Sequence, residues 1–385
     1  MDVYKESLKL HEKNKGKLEI KSKVSINNKK DLSLAYTPGV AQPCLEIKKN
    51  KNNVYKYTIK QNTVAVISDG SAVLGLGNIG AEASIPVMEG KCILMKEFGN
   101  IDAFPICITT QDTEEIISIV KNIAPVFGGI NLEDISAPRC FEIEERLQNL
   151  GIPVFHDDQH GTAIVVLAAV INSLKVVKKN IKDVNVVISG AGAAGITIAK
   201  MLKEIDTPVN DVILVDSAGI VSKNRQDLNL EKRKMLTITN KHNKSGSLKD
   251  AMKKADIFIG VSAPDIVTED MVRSMNKKAI VMAMANPRPE ILPNKAKKAG
   301  AAIICTGRSD FPNQVNNVLA FPGIFRGALD ARARKITMEM QLAAAKAIAN
   351  YIKPTKDKVL PSVLDKKVSK AVADAVRKAA IKQGA

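Results

Sequence analysis

The sequence predicts an α/β protein of two domains, an N-terminal α/β unit followed by a Rossmann-type doubly wound parallel sheet, with helices at the C-terminus. Three observations carry that expectation. Strand-like apolar runs alternate with amphipathic segments along most of the chain. A glycine-rich turn follows one of those runs directly. The 385 residues are enough for two buried cores.

In the first half, segments 62–68, 103–108 and 152–155 read as strands, with helices expected at 79–97, 113–126 and 138–150 between them. A long apolar segment, 162–178, leads into a second series that opens with the strand 185–189. That series continues through strands at 212–215, 257–261, 279–285 and 301–305, with a serine-capped helix at 247–255. Two further helices are expected at 338–352 and 361–382, folding back on the first domain. No long glycine–serine linker marks a boundary, which is placed near residue 160 to give units 1–159, 160–330 and 331–385.

Lys and Arg exceed Asp and Glu by 57 to 40, a formal net charge of +17. Nucleic-acid binding is not expected, because the lysines are scattered and aromatic residues for base stacking make up only 4%. A field that draws in a dianionic substrate suits the charge better. The longest apolar run, 162–173, is shorter than the roughly 18 residues of a membrane span and reads as a buried helix. The N-terminus lacks the apolar segment of a signal peptide, and the five cysteines show no CxxC pair. Reduced thiols in a cytoplasmic protein, with Cys92 as a small buried residue, are therefore expected.

Gly190-Ala191-Gly192-Ala193-Ala194-Gly195 is a GxGxxG turn between a strand and a helix. Its glycines permit a tight turn and close approach to a pyrophosphate, which the helix N-terminus attracts. A second strand ends in Asp216, about 20 residues on, where an acid can bind the adenine ribose hydroxyls. NAD is favoured, since Asp216 repels a 2′-phosphate and Ser217-Ala218-Gly219 offers no cation; NADP stays open because Lys223 and Arg225 can curl back.

Glu133-Asp134 ends a predicted strand and Asp157-Asp158 follows the next. Strand C-termini in a parallel sheet point to one edge, where these carboxylates repel each other unless a cation compensates. Helix capping explains one such pair; two favour a hard divalent ion, Mg²⁺ or Mn²⁺. Zinc at His156 and His160 is set aside, because their segment straddles a strand end and no cysteine is near.

The chain resembles the malic enzyme family, especially its short bacterial and archaeal members. The resemblance lies in Tyr36-Thr37-Pro38-Gly39-Val40-Ala41, in the glycine-rich segment 69–78, in Glu89-Gly90-Lys91, and in Phe155-His156-Asp157-Asp158-Gln159-His160-Gly161-Thr162-Ala163. It implies oxidative decarboxylation of L-malate to pyruvate with NAD or NADP and a divalent metal. Residue by residue, it implies Tyr36 as general acid, Lys91 as general base, and Glu133, Asp134 and Asp158 as metal ligands. Asp157 would be a neighbouring acid bonded to the lysine; Asn286 and Asn317 would hold substrate carboxylates. Longer members carry an arginine before the LGLG stretch, where this chain has Ser71 or Ala72. To act as a base Lys91 must be neutral, so its pKa is expected to be lowered. The family also implies a homodimer or larger homo-oligomer, in which two subunits can meet at one site. A malolactic relative that retains its cofactor and releases lactate is the nearest rival, and a silent nucleotide sensor the rival of another class.

Overall fold

The computed structural model describes residues 2–73 and 75–385; Met1 and Leu74, the latter inside the glycine-rich segment 69–78, lie outside the described residues. Strands β1 (Thr63–Ser68), β2 (Asp102–Cys107), β3 (Gly129–Leu132) and β4 (Val154–His156) form a parallel sheet in the order β2-β1-β3-β4. Ile67 pairs with Leu132, and Leu132 with His156, so β1, β3 and β4 end at one level. The acidic residues after each strand leave the sheet together at that edge. Helices Gly80–Gly99, Thr113–Ile123 and Arg139–Leu147 provide the crossovers.

The second sheet contains β5 (Asn185–Ser189), β6 (Asp211–Asp216), β7 (Gly219–Ile220), β8 (Ile257–Gly260), β9 (Ile280–Ala283) and β10 (Ile303–Thr306). Its order is β10-β9-β8-β5-β6-β7, parallel except for the short edge strand β7. From β5 the chain winds to β6 on one side and later to β8 on the other. That reversal opens the crevice in which doubly wound sheets hold nucleotides.

Helix Asp157–Val177 joins the two sheets, starting directly after β4 and five residues before the expected 162. Its first turn carries Asp157 and Asp158, which the helix dipole favours there. By length and composition it could cross a membrane, yet 72% of its apolar window is buried. It packs against helices Ala193–Glu204 and Met338–Asn350, so it serves as the core helix the sequence suggested. Helix Lys366–Lys382 returns to pack on Gly80–Gly99, Met338–Asn350 and a helix the sequence did not suggest, Phe321–Ala331. The expected helix at 247–255 is confined to Leu248–Met252, where Ser247 and Asp250 form a capping box.

The N-terminal arm differs from the rest. Helices Val3–Asn14, Lys29–Ala35 and Ala41–Lys49, none of them foreseen, contain no buried residue. Tyr4, Leu8, Ile20, Val24, Leu34 and Tyr36 each stand more than half exposed.

Candidate active site

Two strand ends deliver the acidic cluster. Ligand atoms of Glu133, Asp134 and Asp158 all lie within 4.8 Å of one another. The backbone fixes them there. The Asp134 N–H donates to Asp158 Oδ2 (2.8 Å), and the Asp134 carbonyl accepts from the Ala72 N–H (2.9 Å). Asp134 adopts a left-handed φ of 54°, which aspartate tolerates better than most residues. Asn131 is two residues before Glu133 and donates to Glu133 Oε2 (2.8 Å). Period-2 alternation along β3 puts both on one face, a signal that could have found Asn131 in the sequence. Oxygens on opposite sides of Mg²⁺ stand roughly 4.2 Å apart, twice its bond length. An all-carboxylate donor set this compact therefore fits a small hard dication.

Lys91 extends from Gly80–Gly99 into this cluster. Its Nζ lies 2.6 Å from Asp157 Oδ2 and 2.8 Å from Glu133 Oε1, and sits over the Phe321 ring, 4.2 Å from the centroid. Here the expectation is corrected. Burial pushes the Lys91 pKa down, but Asp157 and Glu133 outweigh it and hold the ammonium above the usual lysine range. The same burial pushes Asp157 up to about 6 despite Lys91, and raises Glu133, which also faces Asp158. The Asn317 amide donates to Asp157 Oδ2, so this side chain braces the acid. Gly161 is required beside it: a Cβ there would lie 1.8 Å from Asp157 Oδ1.

Lys91, Glu133, Asp134 and Asp158 line a cleft of about 940 Å³ that also includes Asn286, Asn317, Ala193 and Ala194, with Asp157 buried behind Lys91. A second cleft of about 1020 Å³ adjoins it through Ala137 and Ser262, which line both, and is bordered by Gly190, Gly192 and Asp216. A Cβ on Gly190 would come 2.5 Å from the Val261 carbonyl, and one on Gly195 would come 1.8 Å from the Gly190 carbonyl. At Gly192 nothing lies within 4 Å, leaving open space at the start of helix Ala193–Glu204. The turn thus forms a cradle that fits a pyrophosphate. Asp216 ends β6 in this cleft, with Oδ1 2.6 Å from Arg225 Nη1 and Oδ2 2.6 Å from Lys232 Nζ. Arg225 does curl back; Lys232, 16 residues away, was not foreseen.

Tyr36 is the predicted residue that the single chain does not bring in. It is 66% exposed and absent from the lining of either cleft. His156 and His160 are outside the donor cluster; the His156 N–H and the His160 ring both reach Glu144, at 3.0 and 2.9 Å. Cys92 is buried, its thiol pushed up to about 12 by that burial.

A dinucleotide cradle in a doubly wound sheet, joined at the edge of a second sheet to a carboxylate cluster that fits a divalent metal, defines a nicotinamide-dinucleotide oxidoreductase. Residues 15–148 match the malic enzyme N-terminal domain and residues 159–381 the malic enzyme NAD-binding domain, and the chain belongs to the malic enzyme family. It is 55% identical to the bifunctional malic/malolactic enzyme of Bacillus subtilis over all of this chain and 94% of that protein. It is 54% identical to the NAD-dependent malic enzyme of Geobacillus stearothermophilus, covering 96% of this chain and 77% of the relative. The NADP-dependent malic enzyme of Escherichia coli is 46% identical, and the match spans 51% of its length. Among solved structures, malic enzyme from Pyrococcus horikoshii superposes with a TM-score of 0.95 at 49% identity, covering 99% of this chain and 91% of that one.

Proposed function

We propose that this chain oxidises L-malate with NAD or NADP and decarboxylates the product to pyruvate and CO₂, with Mg²⁺ or Mn²⁺ bound. The observation that carries this reading is the meeting of Glu133, Asp134 and Asp158 at a cleft adjoining the glycine cradle. Those three carboxylates would hold the metal, which when bound polarises the substrate oxygens and takes up the charge left by departing CO₂. Gly190, Gly192, Ala193, Ala194 and Gly195 would carry the pyrophosphate, and Asp216 would accept from the adenine ribose. In this reading residues 1–159 supply the substrate and metal half, 160–330 the dinucleotide half, and 331–385 the supporting helices.

Lys91 and Asp157, 2.6 Å apart, share a proton and together form the base that takes the C2 hydroxyl proton during hydride transfer. Asn317 fixes Asp157 for that exchange, and Asn286 orients a substrate carboxylate. Tyr36 protonates C3 at the end. Because the arm is solvent-exposed and its apolar side chains lack a cover within the chain, we assign this last role to Tyr36 of the partner subunit in a homodimer. The cytoplasm is the proposed compartment, in keeping with five free cysteines.

The test is an assay of malate with NAD or NADP, with and without Mn²⁺, following reduced cofactor and pyruvate together. Stoichiometric, Mn²⁺-dependent formation of both is expected. Lactate without net cofactor reduction would replace this reading with the malolactic one, an activity named for the Bacillus subtilis relative. Cofactor uptake without turnover would reduce the chain to a nucleotide sensor.

A further inference from the structure

We propose that Lys17 holds the substrate carboxylate that lies remote from the metal, an inference that rests on the malate reading of the same cleft. The chain is built to bring this lysine in. Helix Val3–Asn14 ends on Lys15 and Gly16, both at positive φ (53° and 102°), and the resulting turn lays the following residue against helix Gly80–Gly99. There the Lys17 N–H donates to Glu89 Oε2 (3.0 Å) and its Nζ donates to the Pro86 carbonyl (2.7 Å). A Cβ on Gly90 would lie 3.6 Å from that Nζ, so the ammonium rests one residue along the helix from Lys91.

Charge makes the assignment. Among the described residues lining the acidic cleft, Lys17 and Lys91 are the lysines, and no arginine joins them. Lys91 is already committed to Asp157 and Glu133. Glu133, Asp134, Asp157 and Asp158, set against Lys91 and a divalent ion, leave the pocket at a net charge of about −1. A dianion entering such a pocket is repelled. Lys17 brings the balance to neutral. Its ammonium spends one of three donors on a neutral carbonyl, leaving two for a ligand, while the Glu89 carboxylate takes the backbone N–H instead. Glu133, Asp134 and Asp158 would hold a metal that offsets charge at one end of malate, so the carboxylate at the other end, C4, is the one that needs a cation. Lys17 is thus a binding and selectivity residue: it distinguishes a hydroxy diacid from a hydroxy monoacid.

The measurement compares wild type, Lys17→Met and Lys17→Arg by steady-state kinetics with L-malate, saturating cofactor and Mn²⁺. 2-Hydroxybutyrate, in which a methyl replaces the C4 carboxylate, serves as competitive inhibitor. Removing a charged hydrogen bond should raise the KM for malate by about 10- to 100-fold in Lys17→Met. We expect kcat to stay within about threefold, the mark of an interaction made before the chemical step. Lys17→Arg should restore most of the affinity, and the inhibition constant of 2-hydroxybutyrate should be the same in all three proteins. An unchanged KM for malate in Lys17→Met would overturn the assignment. So would an inhibition constant for 2-hydroxybutyrate that rises as far as the KM for malate, since Lys17 would then only support the shape of the cleft. A wild-type chain that turns over no malate would instead refute the underlying reading.

Discussion

Two clusters of carboxylate and cation stand in the adjoining clefts, and they are built with different stoichiometry. At the acidic end Lys91 is shared by Asp157 and Glu133, with Asp134 and Asp158 beside them. At the nucleotide end Asp216 is shared by Arg225 and Lys232, and Arg225 also pairs with Asp227, so acids and bases are matched there. Burial opposes ionisation of the acid in both places. It prevails at Asp157, which is pushed up to about 6, and loses at Asp216, which its two cations hold below the usual carboxylate range. The first cluster carries more acids than bases; the second is balanced, Asp227 holding Arg225 while Lys232 faces Asp216. The ratio of acids to bases thus gives the two neighbouring clefts different charge from the same side-chain chemistry.

The largest expected effect comes from removing the shared cation at the acidic end. Lys91→Ala should lower kcat for malate oxidation by about 10²- to 10⁴-fold, the usual range for a proton-transfer group. Cofactor affinity, followed by equilibrium binding, should be unchanged. Near-normal turnover would mean that the lysine only neutralises its neighbours. Gly161→Ala probes the same cluster without altering a charge. The added methyl collides with Asp157 Oδ1, and displacement of a catalytic group by about 1 Å can cost about 100-fold in kcat. A fully active, folded Gly161→Ala would show that the position of Asp157 is immaterial.

At the nucleotide end the contrast predicts a change in selectivity rather than in rate. Asp216→Ala frees Lys232, and the Nη1 edge of an Arg225 that Asp227 still holds, to bind a 2′-phosphate. The ratio of kcat/KM for NADP to that for NAD should rise by about tenfold or more, each tenfold corresponding to about 1.4 kcal/mol. An unchanged ratio would show that neither cation reaches the ribose. The smallest effect concerns stability. Burial raises the Asp216 pKa, but hydrogen bonds from Arg225 and Lys232 outweigh it, so the folded value is depressed. A depressed acid contributes stability above its unfolded pKa, near pH 4, and loses it as pH falls through the folded value. The Tm of wild type should therefore exceed that of Asp216→Asn by about 2 °C or less at pH 7, and the gap should shrink as pH falls below the ordinary carboxylate range. A gap that widened on acidification would contradict the sign of the shift.

How much of this could be read in the sequence follows from how local each signal is. Strand 185–189 falls on β5 residue for residue, because a short apolar run bounded by the glycine turn leaves little choice of register. The acidic pairs were legible because strand ends in a parallel sheet share an edge. The N-terminal helices were not anticipated: the segment is rich in Lys and Glu, and its apolar residues serve no core within the chain. Asn317 reaches Asp157 across 160 residues, and no spacing rule anticipates that contact. The charge on Lys91 was misjudged for the same reason. Burial alone lowers a lysine pKa, and only the fold reveals that two acids converge on it.

Carboxylates from two strand ends are expected to share one cation, and electron paramagnetic resonance of added Mn²⁺ reads that binding. Wild type should bind about one Mn²⁺ per chain, and Glu133→Gln and Asp158→Asn should each weaken that same site by at least about tenfold, as expected when a charged ligand is removed. Binding in both variants with wild-type affinity and stoichiometry would contradict the account.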